Sequence, residues 1–390
     1  MNPNLILLTL CQGLFFTNNV TFIAINGLVG LAMAPLGWMA TLPVMGYVVG
    51  GALSTGLVAK SQSRWGRRAS FQLGLVVALF SALLAAYAAW SHNFWLLVAA
   101  TVIAGYYSAN GQLYRFAAAE LAADGFKEKA VSLVLAGGLI GAIVGPNLAS
   151  RTRTLYEVPF LGAYLALGVV AMLAMACMAL IRFPAVPVKK PGDHAGRPLA
   201  EIMRQPVFIV AAAAAALSYG VMNLLMAATP LAMQVCGFSF DDAALVLEWH
   251  VIGMFAPGFF TGHLIKKFGT LQIMGAGVVI NLACIAIALS GVGLHQFLIS
   301  LFLLGLGWNF LFTGSTTLAM KAWTPDEKDR GQAAINFFVF ATMAVTSFAS
   351  GALVTTQGWM WLNIGSLFPV ALTGLALVWM VVQQRKVVGP

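Results

Sequence analysis

Charged side chains are scarce in this chain. Asp, Glu, Lys and Arg make up 8% of its 390 residues, where a water-soluble domain carries about 25%. That shortage excludes a fully solvated surface. Cysteine is almost as rare: of the four, Cys11, Cys177 and Cys284 fall in apolar stretches and Cys236 in a loop. Neither a disulfide framework nor a zinc-binding spacing can be drawn from them. The first residues, Met1 to Asn4, lack the basic cluster of a cleavable leader. Alternating polarity over segments of about 10 residues is also missing, which argues against a membrane β-barrel. No phosphate-binding loop, G-x-S-x-G or H-E-x-x-H is present, so neither an enzyme nor a cofactor is expected.

Apolar sequence is abundant, at 60%, and it recurs in runs of about 20 residues, each long enough to cross a hydrocarbon core of ~30 Å. The expected spans are 4–32, 36–59, 69–90, 94–119, 129–150, 158–182, 207–230, 241–265, 271–292, 296–320, 331–354 and 360–383. This predicts an all-α membrane protein of twelve helices. With the N-terminus inside, all but two of the 21 Lys and Arg residues fall in inward segments; Arg151 and Arg153 are the exceptions. That asymmetry places both termini in the cytoplasm. Dispersed among loops, these charges do not form the patch or stripe that nucleic acid requires.

The segment 183–206, with Pro184, Pro187, Pro191, Pro198 and Pro206, interrupts the helical pattern. It divides the chain into bundles at 1–182 and 207–390, with a cytoplasmic linker between. The two halves echo each other: Ser63-Arg64-Trp65-Gly66 aligns with Lys266-Lys267-Phe268-Gly269 at an offset of 203 residues. Paired six-helix repeats are the plan of carriers that rock about a midplane site. Arg64-Trp65-Gly66-Arg67-Arg68 resembles the basic end of the loop motif of the major facilitator superfamily. Ser63, and Lys266 in the second copy, stand where that motif has Asp. Gly137-x3-Gly141-x3-Gly145-Pro146 resembles the superfamily's antiporter motif without its final Gly pair. Glycines every four residues also make a smooth face for close helix packing, and that reading is preferred here.

The chemistry-bearing residues cluster in the second half. Met222 and Met226 lie four apart on one expected span, and His250 and Met254 four apart on the next, so each pair shares a helix face. Thioethers are soft ligands that favour Cu(I), and imidazole also suits copper; hard cations want oxygen ligands. At ~1.5 Å per residue, Met222 lies about 12 Å and His250 about 13 Å from the outer end, which predicts a level pair with Met226 above and Met254 below. With 17 Met in the chain, a single Met-x3-Met pair carries little weight, and Met commonly fills helix interfaces. His250 carries more, because it alone among the five His lies well inside a span.

Together the two pairs resemble the motifs of CcoA-type copper importers, a bacterial branch of the superfamily. The resemblance implies a multi-pass inner-membrane protein importing copper for cbb3-type oxidase assembly, with a cytoplasmic copper acceptor as possible partner. A monomer in the bilayer is expected. Glu248 is a candidate coupling carboxylate, Met45 and Cys236 are candidate accessory sulfur groups, with core filling the preferred reading of Met45, and Asn19 is a candidate polar group of the site. The alternatives are a carrier of an organic solute, riboflavin or drug-like, and a membrane copper sensor. For an organic solute, Tyr106, Tyr107, Asn110, Trp308 and Asn309 would line the cavity.

Overall fold

Lipid offers no partner to a backbone amide, so a chain this apolar closes its hydrogen bonds within helices. A computed structural model describes residues 2–123, 127–184, 196–324 and 327–388. Its helices, in order, are α1 (Pro3–Met33), α2 (Leu42–Trp90), α3 (Phe94–Gly111), α4 (Tyr114–Leu121), α5 (Lys127–Ala136), α6 (Gly138–Thr152), α7 (Leu161–Leu180) and α8 (Leu199–Arg204). Then come α9 (Pro206–Val235), α10 (Phe240–Phe255), α11 (Gly258–Phe268), α12 (Thr270–Leu289), α13 (Leu294–Ala319), α14 (Lys328–Thr356) and α15 (Gly358–Val388). The middle of the expected linker, with Lys189 and Lys190, lies outside the described residues.

Local chemistry sets the helix ends. Proline stands in the first turn of α1, α2 and α9, where no amide hydrogen is needed. Asn93 caps α3 by accepting from the Leu96 amide, and α10 opens with a capping box of Ser239 and Asp242. Gly66, inside α2, and Gly269, after α11, have φ of 79° and 97°. They stand 203 residues apart, at the aligned ends of the sequence echo. Only glycine adopts this backbone without strain, so the internal repeat is structural.

Ten helical segments among the described residues are long and apolar enough to cross a membrane. The pair α10 and α11, bent by 40° at a break beside Pro257, makes an eleventh if read as one span. The expected span 94–119 departs from the pattern: α3 and α4 occupy it, broken at Gln112–Leu113, and Ser108 and Asn110 reduce its apolarity. The expected span 129–150 is likewise two helices, α5 and α6, meeting at Gly137. The all-helical, multi-span architecture expected from hydropathy is the one observed, and three of the expected spans are broken along their length, each at a proline, a glycine or a polar turn.

The glycine face of α6 packs on α1. A Cβ on Gly137 would lie 2.3 Å from the Thr9 carbonyl oxygen, and one on Gly141 2.4 Å from Phe16 Cβ. The two halves of the chain meet on the side away from most basic residues. There Thr41 donates to the Ser347 carbonyl at 2.6 Å, and the Gly351 amide donates to Thr41 at 3.0 Å. Ser150 donates to Asp241, Arg153 pairs with Asp241 at 3.7 Å, and Phe160 packs edge-on to Phe240.

Candidate functional site

Between the halves lies a cavity whose wall is shared by both. From the first half come Phe16, Asn19, Val20 and Ile23 of α1, Val44, Tyr47 and Val48 of α2, Ser108 of α3, Gln112, and Arg115 of α4. From the second come Tyr219, Met222, Asn223 and Met226 of α9, Val251, Met254 and Phe255 of α10, and Phe312 of α13. Asn336, Val339, Phe340 and Met343 of α14 complete it.

Second-half packing holds this wall in place. Asn223 donates to the Met343 carbonyl, Thr346 and Ser347 at 3.1, 3.0 and 2.8 Å, tying α9 to α14. Asn309 donates to the Met254 carbonyl at 2.7 Å and accepts from Thr261 at 2.7 Å, fixing the bend between α10 and α11 against α13. Phe16 meets Phe255 across the halves, with ring centroids 4.5 Å apart. Tyr219 packs edge-on against both Trp308 and Phe312, which stack on each other at 4.9 Å.

The sulfur-and-imidazole set divides. Met222, Met226 and Met254 line the one cavity, and so does Asn19. His250 is fully buried and turned against α13, where its Nδ1 lies 2.7 Å from the Leu301 carbonyl oxygen. His250 is not among the residues that line the cavity, so the structure does not place it on the wall that Met222, Met226 and Met254 share. Since a carbonyl only accepts, Nδ1 carries the hydrogen and Nε2 presents a lone pair. That Nε2 is buried without a hydrogen-bond partner among the described residues.

The other candidates are dispersed. Glu248 accepts from Asn147 of α6 at 3.2 Å, in the contact between the halves and outside the cavity wall. Met45 is half-buried and outside the wall, and Cys236 is exposed at the C-cap of α9. The five residues expected to line an organic-solute cavity also lie elsewhere, because neighbouring helices claim their faces. Tyr107 packs on Phe15, Asn110 accepts from Ser70, Asn309 serves the α10–α11 bend, and Trp308 backs the wall through Phe312. Tyr106 lies on a surface groove with Lys60, Arg64 and Trp65.

Sequence reasoning missed Gln112, Arg115, Tyr219 and Asn336. For Arg115 a signal existed: Ser108, Gln112 and Arg115 recur at helical spacing of four and three, which is one face of a helix.

Comparison with known proteins agrees with the architecture. The family model of the Major Facilitator Superfamily matches residues 5–322 and 211–390. The riboflavin transporter RfnT of Brucella anthropi is 38% identical over 369 residues, spanning 94% of this chain and 92% of its own. The uncharacterised transporter YdeG of Bacillus subtilis is 26% identical, over 92% of this chain and 87% of its own. The crystal structure of the human organic anion transporter MFSD10 superposes with a TM-score of 0.72 at 12% identity, covering 96% of this chain and 99% of that one. The chain belongs to the Major Facilitator Superfamily and is a multi-pass membrane transporter, not an enzyme.

Proposed function

We propose that this transporter imports a planar heteroaromatic solute of the flavin type across the bacterial inner membrane, exposing the central cavity to each side in turn. The observation that carries this reading is the cavity wall. Phe16, Tyr47, Tyr219, Phe255, Phe312 and Phe340 offer aromatic surface from both halves, interleaved with the amides of Asn19, Gln112, Asn223 and Asn336. Aromatic walls bury a flat ring and prefer offset or edge contacts with it. A few fixed polar groups then set its orientation. The relative named a riboflavin transporter, similar over nearly the whole chain, supports the same substrate class. The test is uptake of radiolabelled riboflavin by cells lacking their own flavin uptake, with and without this protein. Equal uptake at confirmed membrane levels of the protein refutes the reading.

A second reading, import of Cu(I) for oxidase assembly, is favoured by one specific arrangement. Four thioethers, those of Met222, Met226, Met254 and Met343, line the same cavity, and close by on α10, His250 has its Nδ1 hydrogen held by a backbone carbonyl. That is the usual way a metal-binding imidazole has its other nitrogen oriented. Replacing Met222 and Met226 together by Leu separates the two readings, because Leu keeps the volume and removes the sulfur. Riboflavin uptake is expected to persist in Met222→Leu/Met226→Leu. A loss of copper uptake in the same variant, with wild-type cells importing copper, establishes the second reading instead.

A further inference from the structure

Helix α2 holds two spans, Gly37–Gln62 and Arg64–Trp90, which meet at the Gly66 bend. The distribution of basic residues assigns this bend to the cytoplasmic face. Two of its three arginines are tied into the first half. Arg67 donates from Nε to Glu120 of α4 at 3.0 Å and also reaches Gln62, and Arg68 donates to the Ala179 carbonyl of α7. Arg64 is exposed and turns to the surface groove that holds Tyr106, with its guanidinium carbon 5.7 Å from the Trp65 ring centroid. The groove is held in shape from beneath. Ser61 shares a hydrogen bond with Ser70, Ser70 donates to Asn110 at 3.1 Å, and Asn110 donates to the Tyr106 carbonyl at 3.2 Å. These bonds lock both arms of α2 to α3.

The groove changes character with depth. Arg64 and Trp65 stand at its rim, whereas Leu57, Leu73 and Val77 continue it along the two spans. Leu57 lies seven residues before Arg64 and Leu73 seven after Gly66, so at ~1.5 Å per residue both sit about 10 Å into the membrane. Leu57 and Leu73 are exposed, and on spanning helices such surface is covered by acyl chains. Lys60 also lines the groove but already has an interaction of its own, so the guanidinium of Arg64 is the group offered to a ligand. Its planar fork matches the oxygens of a phosphate, and Trp favours the headgroup level. A free anion would use the rim and leave the apolar floor idle. A neutral chain would use the floor alone. An amphiphile with a phosphate head engages both, and the cytoplasmic leaflet is rich in anionic lipid.

We propose that this groove is a binding site for an anionic phospholipid of the cytoplasmic leaflet, with its phosphate on Arg64 beside Trp65 and one acyl chain along Leu57, Leu73 and Val77. The site lies outside the central cavity wall and is independent of which solute the transporter carries.

The experiment titrates the full-length, detergent-purified protein with phosphatidylglycerol or with phosphatidylcholine of the same acyl chains, and native mass spectrometry counts the lipid retained per folded protein. Wild type is expected to retain phosphatidylglycerol in preference to phosphatidylcholine. Arg64→Gln should weaken phosphatidylglycerol binding roughly 5- to 10-fold and leave phosphatidylcholine unchanged. Arg64→Lys should fall between, since it keeps the charge and loses the fork. Lys321→Gln removes the same charge from the same face outside the groove and should bind as wild type does. Leu73→Asn keeps the rim and spoils the chain seat, so it should weaken phosphatidylglycerol binding as well, and it carries the test if the Arg64 variants do not fold. Equal retention of the two lipids by wild type, equal loss in Arg64→Gln and Lys321→Gln, or full binding by Leu73→Asn overturns the site. Inorganic phosphate at the lipid's own concentration should displace nothing; displacement reveals a site for free anions and overturns the lipid assignment.

Discussion

The contact between α10 and α13 is made by a reciprocal pair of glycines, and Gly305→Ala tests it. A Cβ at Gly305 would lie 2.3 Å from the His250 carbonyl oxygen and 2.8 Å from the Met254 amide nitrogen. At Gly253 it would lie 2.6 Å from the Phe302 carbonyl oxygen. All three are backbone atoms that cannot rotate away. Ordinary contact begins near 3.4 Å, so the two helices must separate by about 1 Å. Such a shift stretches the 2.7 Å contact of His250 Nδ1 with the Leu301 carbonyl beyond hydrogen-bonding range. It also loosens the 2.7 Å bond from Asn309 to the Met254 carbonyl. Overpacking costs about 1–3 kcal/mol, and each weakened hydrogen bond adds about 1 kcal/mol. The expected destabilisation is about 3–5 kcal/mol, read as a lowered Tm of the detergent-purified protein by fluorescence-detected size exclusion. Gly275→Ala, inside α12 with nothing near its Cβ position, is the control; it should be neutral or gain up to about 1 kcal/mol from helix propensity. Equal melting of Gly305→Ala and wild type, or equal loss in the control, refutes the backbone-contact reasoning.

Two further outcomes follow from contacts away from the cavity. Asp241→Asn removes the charge that Arg153 and Ser150 hold where the halves meet. The pair is largely exposed, so its worth is at most about 1 kcal/mol, and labelling of a cysteine placed at Asn19 in a Cys236→Ser background should speed up by no more than about fivefold; a larger acceleration contradicts the small worth assigned to this contact. Glu327 accepts from the Arg197 amide, Nε and Nη2 at 2.8, 2.9 and 2.7 Å and from the Thr324 amide at 3.0 Å. These donors, Arg197 first, hold its carboxyl well below the usual carboxylate range. A lowered folded-state value means the stabilisation is complete above the ordinary value of 4.5 and declines as pH falls below it. The Tm difference between wild type and Glu327→Gln should therefore be constant from pH 5 to 8 and narrow only in acid; a difference that vanishes near neutrality contradicts the assignment.

Long apolar runs, the proline-rich interruption and the Gly66/Gly269 echo were sufficient to determine, from sequence alone, a helical membrane protein built from two repeated halves. The reason is physical: lipid leaves the backbone few solutions, and each span declares itself by length and hydropathy within a single stretch of chain. The packing role of Gly137, Gly141 and Gly145 was legible for the same cause, since a smooth helix face is a local pattern. The cavity wall was not. Which arc of a helix faces a neighbour depends on crossing geometry between elements distant in sequence, and a nearly uniform apolar surface records little of it. Thus Met222, Met226 and Met254 share the wall while His250, one turn from Met254, bonds to Leu301 of α13. Tyr107, Asn110 and Asn309 are claimed by packing and interhelical hydrogen bonds. Arg115 enters the cavity only because the chain tightens at Gln112–Leu113 and Tyr114 is pinned beneath it. A break in a helix, set by contacts with Phe71 and Phe15 from other parts of the chain, brings this side chain to the cavity wall, and only the tertiary structure decides that.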